Sequence, residues 1–234
     1  MARERPALTG ILDTVAFRYS SYDTPLWSRN NTVAGRWHRV GDGATQYVTL
    51  HPDGAWAELA RAEDLRTDAD LRTVRMPIWA LMINQQNLVD YTSFEKAEAV
   101  DFSAEALVDD DYTRCQDEGR QLRDLGYAGV VAPSAALPGT LNVTIFGRRM
   151  LSTWGSTTRL ASSVPGCVVA VGAPPLGISS RVRYFGAAHA GLVGYEEGLV
   201  DNVRVEQFRP EEPEAQHRRF GSLDDSLEED DSEE

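Results

Sequence analysis

The sequence predicts an α+β fold, and three observations carry that reading. Strand-like segments outnumber helix-like ones, the connections between them are long, and no internal repeat or regular strand–helix alternation is visible. The first strand signal is Thr14–Tyr19, in TVAFRY. A loop rich in Ser, Asp, Pro and Asn follows over 20–34 and closes on Gly35-Arg36-Trp37. Thr45–Leu50 reads as a second strand, and Pro52-Asp53-Gly54 opens a helix near 54–63 with Asp53 as its expected N-cap. Thr73–Ile83 is a long apolar strand candidate. Over 113–125, Cys115, Gly119, Leu122 and Leu125 recur at helical spacing, and Gly126 suits the C-terminal stop. Ala128–Ala132 and Leu141–Phe146 are short strands joined by a Pro/Gly loop. Cys167–Val171, Arg181–Phe185 and Val203–Phe208 are further strand candidates, and no fold is expected beyond Pro210.

Hydrophobic residues make up 42% of the 234 residues, enough for an ordinary core, so a single domain over 10–210 is expected. The start, MARERPALTG, is polar and lacks the apolar region of a signal peptide, and the apolar stretches near 76–83 and 164–176 are too short or broken to span a bilayer. A cytoplasmic protein without membrane association is the expectation. Net charge is −13, but residues 222–234 hold eight of the 36 acids and no base. Residues 211–234 are therefore read as an acidic, disordered tail. The remaining balance is still acidic, which argues against direct nucleic-acid binding. Cys115 and Cys167 stand far apart, outside any CxxC or Cys/His cluster, so buried inert thiols are expected and neither a disulfide framework nor a metal site is.

Four polar residues flank apolar elements: Arg18 in FRYS, Tyr47 in TQYVTL, Glu58 in AWAELAR and Ser134 in APSAALP. Each has a plain structural reading. Arg18 and Glu58 could form an ion pair, Tyr47 could be a core aromatic, and Ser134 could be a turn former after Pro133. No Gly-x-Gly-x-x-Gly or Walker loop appears, and Gly41-Asp42-Gly43 reads as a turn. His38 and His51 read first as satisfied loop histidines, with substrate binding as the alternative. Trp27, Trp37 and Trp56 are expected to pack beneath the site.

The order of the segments FRYS, AGRW, QYVTL, WAELA, GYAGVVAPS and LNVTIF, with LVDYTS at 88–93, resembles the RES domain, a family named for its Arg, Glu and Ser. The resemblance covers about 13–150, leaving 151–210 as an extension. It departs at His38, where the family typically has Asn. The resemblance implies a fold similar to ADP-ribosyltransferases, with mixed or antiparallel sheets flanked by helices. It also implies cleavage of NAD between nicotinamide and ribose, by hydrolysis or phosphorolysis, as the toxin of a toxin–antitoxin pair whose antitoxin is encoded separately. NAD would be substrate, with no resident cofactor. Arg18 and Arg36 would hold its pyrophosphate, because a guanidinium grips phosphate oxygens with two hydrogen bonds. Tyr47 would stack on the nicotinamide cation. Glu58 would face the oxocarbenium-like centre or hold ribose hydroxyls. Ser134 and Asn142 would bond ribose, amide or phosphate. Transfer of ADP-ribose to a macromolecule would use the same residues, and a non-catalytic module with this fold is the third reading.

Overall fold

The computed structural model describes residues 9–20, 30–147, 167–172, 174–187, 195 and 208–210. Its elements run β1 (Thr9–Tyr19), β2 (Thr45–Thr49), α1 (Pro52–Ala62), α2 (Asp68–Thr73), β3 (Met76–Asp90), α3 (Phe94–Glu98), α4 (Ala104–Val108), α5 (Thr113–Asp124), β4 (Gly129–Pro133), β5 (Leu141–Phe146), β6 (Cys167–Gly172) and β7 (Phe208–Pro210). The α+β expectation holds in this mixture of sheet and helices.

One mixed sheet, in the order β6-β3-β4-β5-β2-β1-β7, organises the chain. An additional β1–β3 pairing closes β1, β3, β4, β5 and β2 into a ring. Only β3 and β4 run parallel among the pairings described; the rest are antiparallel. Alternation along the strands sends Leu12, Ala16, Val48, Leu81, Ile83, Leu88, Val131, Leu141, Val143 and Ile145 into one dry cluster. Each large aliphatic side chain among them contributes ~1.5–3 kcal/mol on burial.

Two further cores cover the other side. Trp37, Tyr91, Phe102, Leu107, Val130 and Phe146 pack with α3–α5, and Trp37 lies 6.1 Å from the Tyr91 ring. Trp56, Leu59, Leu71, Ile78, Leu137 and Tyr184 pack around α1. Trp37 and Trp56 are thus core residues, as expected; Trp27 lies outside the described residues.

Several boundaries differ from expectation. α1 begins at Pro52, and its N-cap is His51, whose Nδ1 accepts the Asp53 N–H at 3.1 Å. Proline at the first helical position fixes the start ahead of Asp53, which sits in the first turn instead. The strand expected over Thr73–Ile83 starts at Met76, because Thr67 and Asp70 form a capping box that makes 68–73 a helix. It also runs on to Asp90 through the polar run Asn84–Asn87, part of which pairs with β1. LVDYTS therefore begins within β3 and leaves it after Asp90. The two five-residue helices α3 and α4 are too short to register as periodicity. Arg181–Phe185 is not a strand: a 3-10 turn at Ile178–Ser180 leads into a segment outside the sheet. Of Val203–Phe208, only Phe208 is described, at the start of β7; the acidic tail lies outside the described residues.

Candidate functional site

The site is built where α1 crosses the face of β2 and β5 opposite the dry cluster. Thr49 pairs with Asn142 and Tyr47 with Thr144, so these four share that face. Gly54 lets α1 come close, since a Cβ there would lie 2.2 Å from Thr49 Oγ1. One helical turn on, Glu58 reaches the sheet. Its Oε1 accepts the Asn142 amide at 2.7 Å and the Ser134 hydroxyl at 3.2 Å. Among the described residues, no hydrogen bond is made to Oε2, and the buried Asn142 Oδ1 has no partner.

Ser134 is completely buried in the turn after β4. Its Oγ accepts the Ala136 and Leu137 amides at 3.3 and 3.1 Å, and donates to Glu58. That leaves the hydroxyl fully committed within the protein. Three of the expected residues, Glu58, Ser134 and Asn142, therefore form one hydrogen-bonded group.

Tyr47 stands one alternation away, packed against the Trp37 core. Its hydroxyl accepts the Trp37 N–H at 3.1 Å and lies 2.7 Å from His38 Nδ1. His38 Nε2 lies 2.9 Å from the Val33 carbonyl, which can only accept, so Nε2 carries the proton. Nδ1 is then the acceptor and Tyr47 the donor. Burial lowers the His38 pKa, in keeping with this neutral ring, and raises that of Tyr47. A Cβ on Gly35 would lie 2.7 Å from both the His38 ring and the Tyr47 hydroxyl, so this corner requires glycine. The departure from Asn at position 38 thus fills a structural role, and His51 is occupied as the α1 cap.

Arg18 pairs across with Trp79 near the end of β1, one residue before the strand's last residue, Tyr19. Glu58's hydrogen bonds go to Ser134 and Asn142, and among the described residues no ion pair joins Glu58 to Arg18. The two nevertheless share a neighbourhood: burial raises the Tyr19 pKa, Glu58 adds to that and Arg18 opposes it. Arg36 is engaged elsewhere. Its Nη1 donates to the Asp109 carbonyl at 2.8 Å and the Ala106 carbonyl at 3.4 Å, at the C-terminal end of α4, and its guanidinium stacks 4.4 Å from the Tyr112 ring centroid.

Sequence reasoning missed Arg61, Asp110 and Arg183. Arg61 follows Glu58 by one helical turn, is 3% exposed, donates to the Ala135 carbonyl and pairs with Asp110 at 2.7 Å. Its placement on the Glu58 side of α1 is readable in WAELAR; Asp110 and Arg183 carry no such signal. Cys115 is buried and hydrogen-bonded to the Ala106 carbonyl, and burial raises its thiol pKa to about 11, in line with an inert thiol. Gly41-Asp42-Gly43 forms a turn in which Asp42 receives the Arg39 N–H at 2.6 Å and pairs with Arg120 at 2.8 Å. Among the described residues, no helix is long and apolar enough to cross a membrane, and no group of three His, Cys, Asp or Glu could hold a metal.

The chain is similar to a Mycobacterium tuberculosis protein named "Probable NAD(+) phosphorylase", at 32% identity over 112 residues, 48% of this chain and 53% of that protein. It thus spans about half the length of that curated relative. The crystal structure of the M. tuberculosis MbcT-MbcA toxin-antitoxin complex contains a similar fold, with a TM-score of 0.51 at 18% identity, covering 62% of this chain and 81% of that one. The RES-domain family profile matches residues 11–156, which include Arg18, Tyr47, Glu58, Ser134 and Asn142, and the chain belongs to the RES-domain family.

Proposed function

We propose that this chain cleaves NAD at the nicotinamide–ribose bond, passing the ADP-ribose unit to water or phosphate, and that it is a cytoplasmic toxin held in check by a separately encoded antitoxin. The name of the M. tuberculosis relative supports the chemistry, and the likeness to a chain of a toxin-antitoxin complex supports the toxin setting. The fold is proposed to be of the ADP-ribosyltransferase kind. The observation that carries the reading is Glu58, a carboxylate fixed through one oxygen by Ser134 and Asn142. A charge held in advance needs no reorganisation when a cation develops opposite it.

As the C1′–N bond breaks, its electron pair goes to the pyridine nitrogen, and nicotinamide leaves uncharged. The ribose carbon becomes oxocarbenium-like, and Glu58 stabilises it. An oxygen of water or phosphate then bonds to that carbon, and where water attacks, its proton is released. Tyr47 offers its ring to nicotinamide, while its hydroxyl keeps its proton and donates it to the hydrogen bond with His38 Nδ1. Arg18 anchors the pyrophosphate. Ser134 and Asn142 act by orienting Glu58, and Asn142 Oδ1 supplies an acceptor for a ribose hydroxyl. Arg36 turns its Nη1 to the Ala106 and Asp109 carbonyls, and its other N–H groups are the ones left to meet pyrophosphate.

The test is incubation of the purified chain with NAD, with and without phosphate, following nicotinamide, ADP-ribose and its phosphate ester. Release of nicotinamide with one of those products is expected. Absence of release overturns the reading, and accumulation of ADP-ribose on protein would make the chain a transferase.

A further inference from the structure

Residues 174–187 lie beyond the part that matches the family, yet their bonds run to α1, to the Leu65–Asp68 segment and to the turn that follows Ser134. The Gly177 N–H donates to Asp68 at 3.2 Å, Arg181 pairs with Asp53 in the first turn of α1 at 2.8 Å, and the Tyr184 hydroxyl donates to the Leu65 carbonyl at 2.6 Å. Arg183 reaches deepest. Its backbone N–H donates to the Ala136 carbonyl at 2.9 Å, and its buried guanidinium to Asp110 at 2.8 Å and the Val108 carbonyl at 3.2 Å. The same Asp110 oxygen takes Arg61, while the other accepts the Gly186 N–H at 2.8 Å.

The two carbonyls that follow Ser134 are thereby gripped in succession, Ala135's by Arg61 and Ala136's by the Arg183 amide. Inside this turn, Ala136 and Leu137 amides fix Ser134 Oγ, and Ser134 fixes Glu58. Two buried guanidiniums on one carboxylate are a costly way to gain stability, since apolar side chains of similar volume do as well or better. What they supply is direction: a charged hydrogen bond holds a carbonyl in one orientation.

We infer that Arg183 is a positioning residue for the reaction, acting with Asp110 and Arg61 through the Ser134–Leu137 turn to orient Glu58. Residues 174–187 are then a working part of the catalytic unit. This rests on the reading of Glu58 given above.

Arg183→Met retains the backbone N–H and much of the side-chain volume but removes the charge. Turnover of NAD is expected to fall at least ~10-fold, since small displacements of a reacting group are costly, with KM changed less than about twofold. Arg183→Lys, which keeps a cation beside Asp110, recovers most of the loss. In a Ser134→Ala background the turn no longer reaches Glu58, so Arg183→Met costs less than about twofold more. Without NAD, amide exchange at Ala136 and Leu137 is expected to speed up in folded Arg183→Met, while Val143 and Ile145 keep their protection. Equal losses in both backgrounds, no recovery in Arg183→Lys, or unchanged exchange at 136 and 137 overturn the inference. If the wild type releases no nicotinamide, the proposed function fails, and the exchange measurement still decides whether Arg183 holds the turn.

Discussion

The two faces of β2 and β5 are made by alternate residues of the same short segments, and they differ in almost every physical respect. Val48, Val143 and Ile145 turn into a dry aliphatic cluster in which no polar bond sets direction. Tyr47, Thr49, Asn142 and Thr144 turn the other way, where hydrogen bonds dictate which atom faces which. The inner face supplies free energy without specific orientation; the outer face supplies orientation through its hydrogen bonds. A one-residue slip of register would exchange them, so the apolar alternation that stabilises the ring also aims the site.

The largest effect expected from this contrast is on the outer face. Glu58→Gln keeps an oxygen to accept from Ser134 and Asn142 and removes only the charge, so melting should hardly change. Turnover of NAD should fall ~100- to 1000-fold, the scale of losing one preorganised electrostatic group. A destabilised Glu58→Gln with normal turnover would erase the distinction between the faces. The inner face gives the reverse outcome. Ile145→Ala, at a fully buried position, should cost about 3 kcal/mol in reversible unfolding while leaving KM and kcat of the folded fraction near wild type.

Tyr47→Phe sharpens the contrast further. It preserves the ring but leaves His38 Nδ1 and the Trp37 N–H without their partner, so stability should drop by ~1–3 kcal/mol, and turnover only a few-fold, as a ring that stacks requires. A loss as large as that of Glu58→Gln would show that the hydroxyl takes part in the chemistry. The smallest effect concerns pH. His38 has a folded pKa below its ordinary 6.5, so between those values the unfolded state binds more protons. Its contribution to stability is present above pH ~6.5 and is lost as pH falls toward the folded pKa. Unfolding measured from pH ~7 down to ~5 should show a shallower fall in His38→Asn; an identical slope would mean that His38 does not titrate in this way.

What is legible in the sequence follows the same division. β4 and β5 stand out because Gly and Pro bound short apolar runs, although both faces of β4 are buried, Val131 in the inner cluster and Val130 and Ala132 in the Trp37 core. The second half of β3 does not, because Asn84–Asn87 is polar and becomes strand only through its pairing with β1. Glu58, Ser134 and Asn142 are readable as a set through the family pattern; that Ser134 donates to Glu58 and is sealed from solvent is a property of the folded turn. Arg183 has no local signal at all. Its partners Ala136 and Asp110 lie far back in the chain, and a bond spanning such a separation leaves no trace in spacing or periodicity. The N-cap of α1 departs from expectation for a local reason, since histidine rarely signals a cap and Pro52 outweighs the Asp53 preference.

The pairing of β1 has a consequence for the order in which the protein comes into being. The strand that carries Arg18 finds β3 only after residues 76–90 have been made, and its far edge meets β7 through Gly10 and Pro210. Contacts of such separation close late and slowly. On the ribosome, Arg18 and Glu58 are translated well before Arg183, so the turn that bonds Glu58 stays without its Arg183 clasp until the chain has grown well past β5 and β6. Synthesis itself thus imposes a delay between making the proposed catalytic residues and completing the bonds around them.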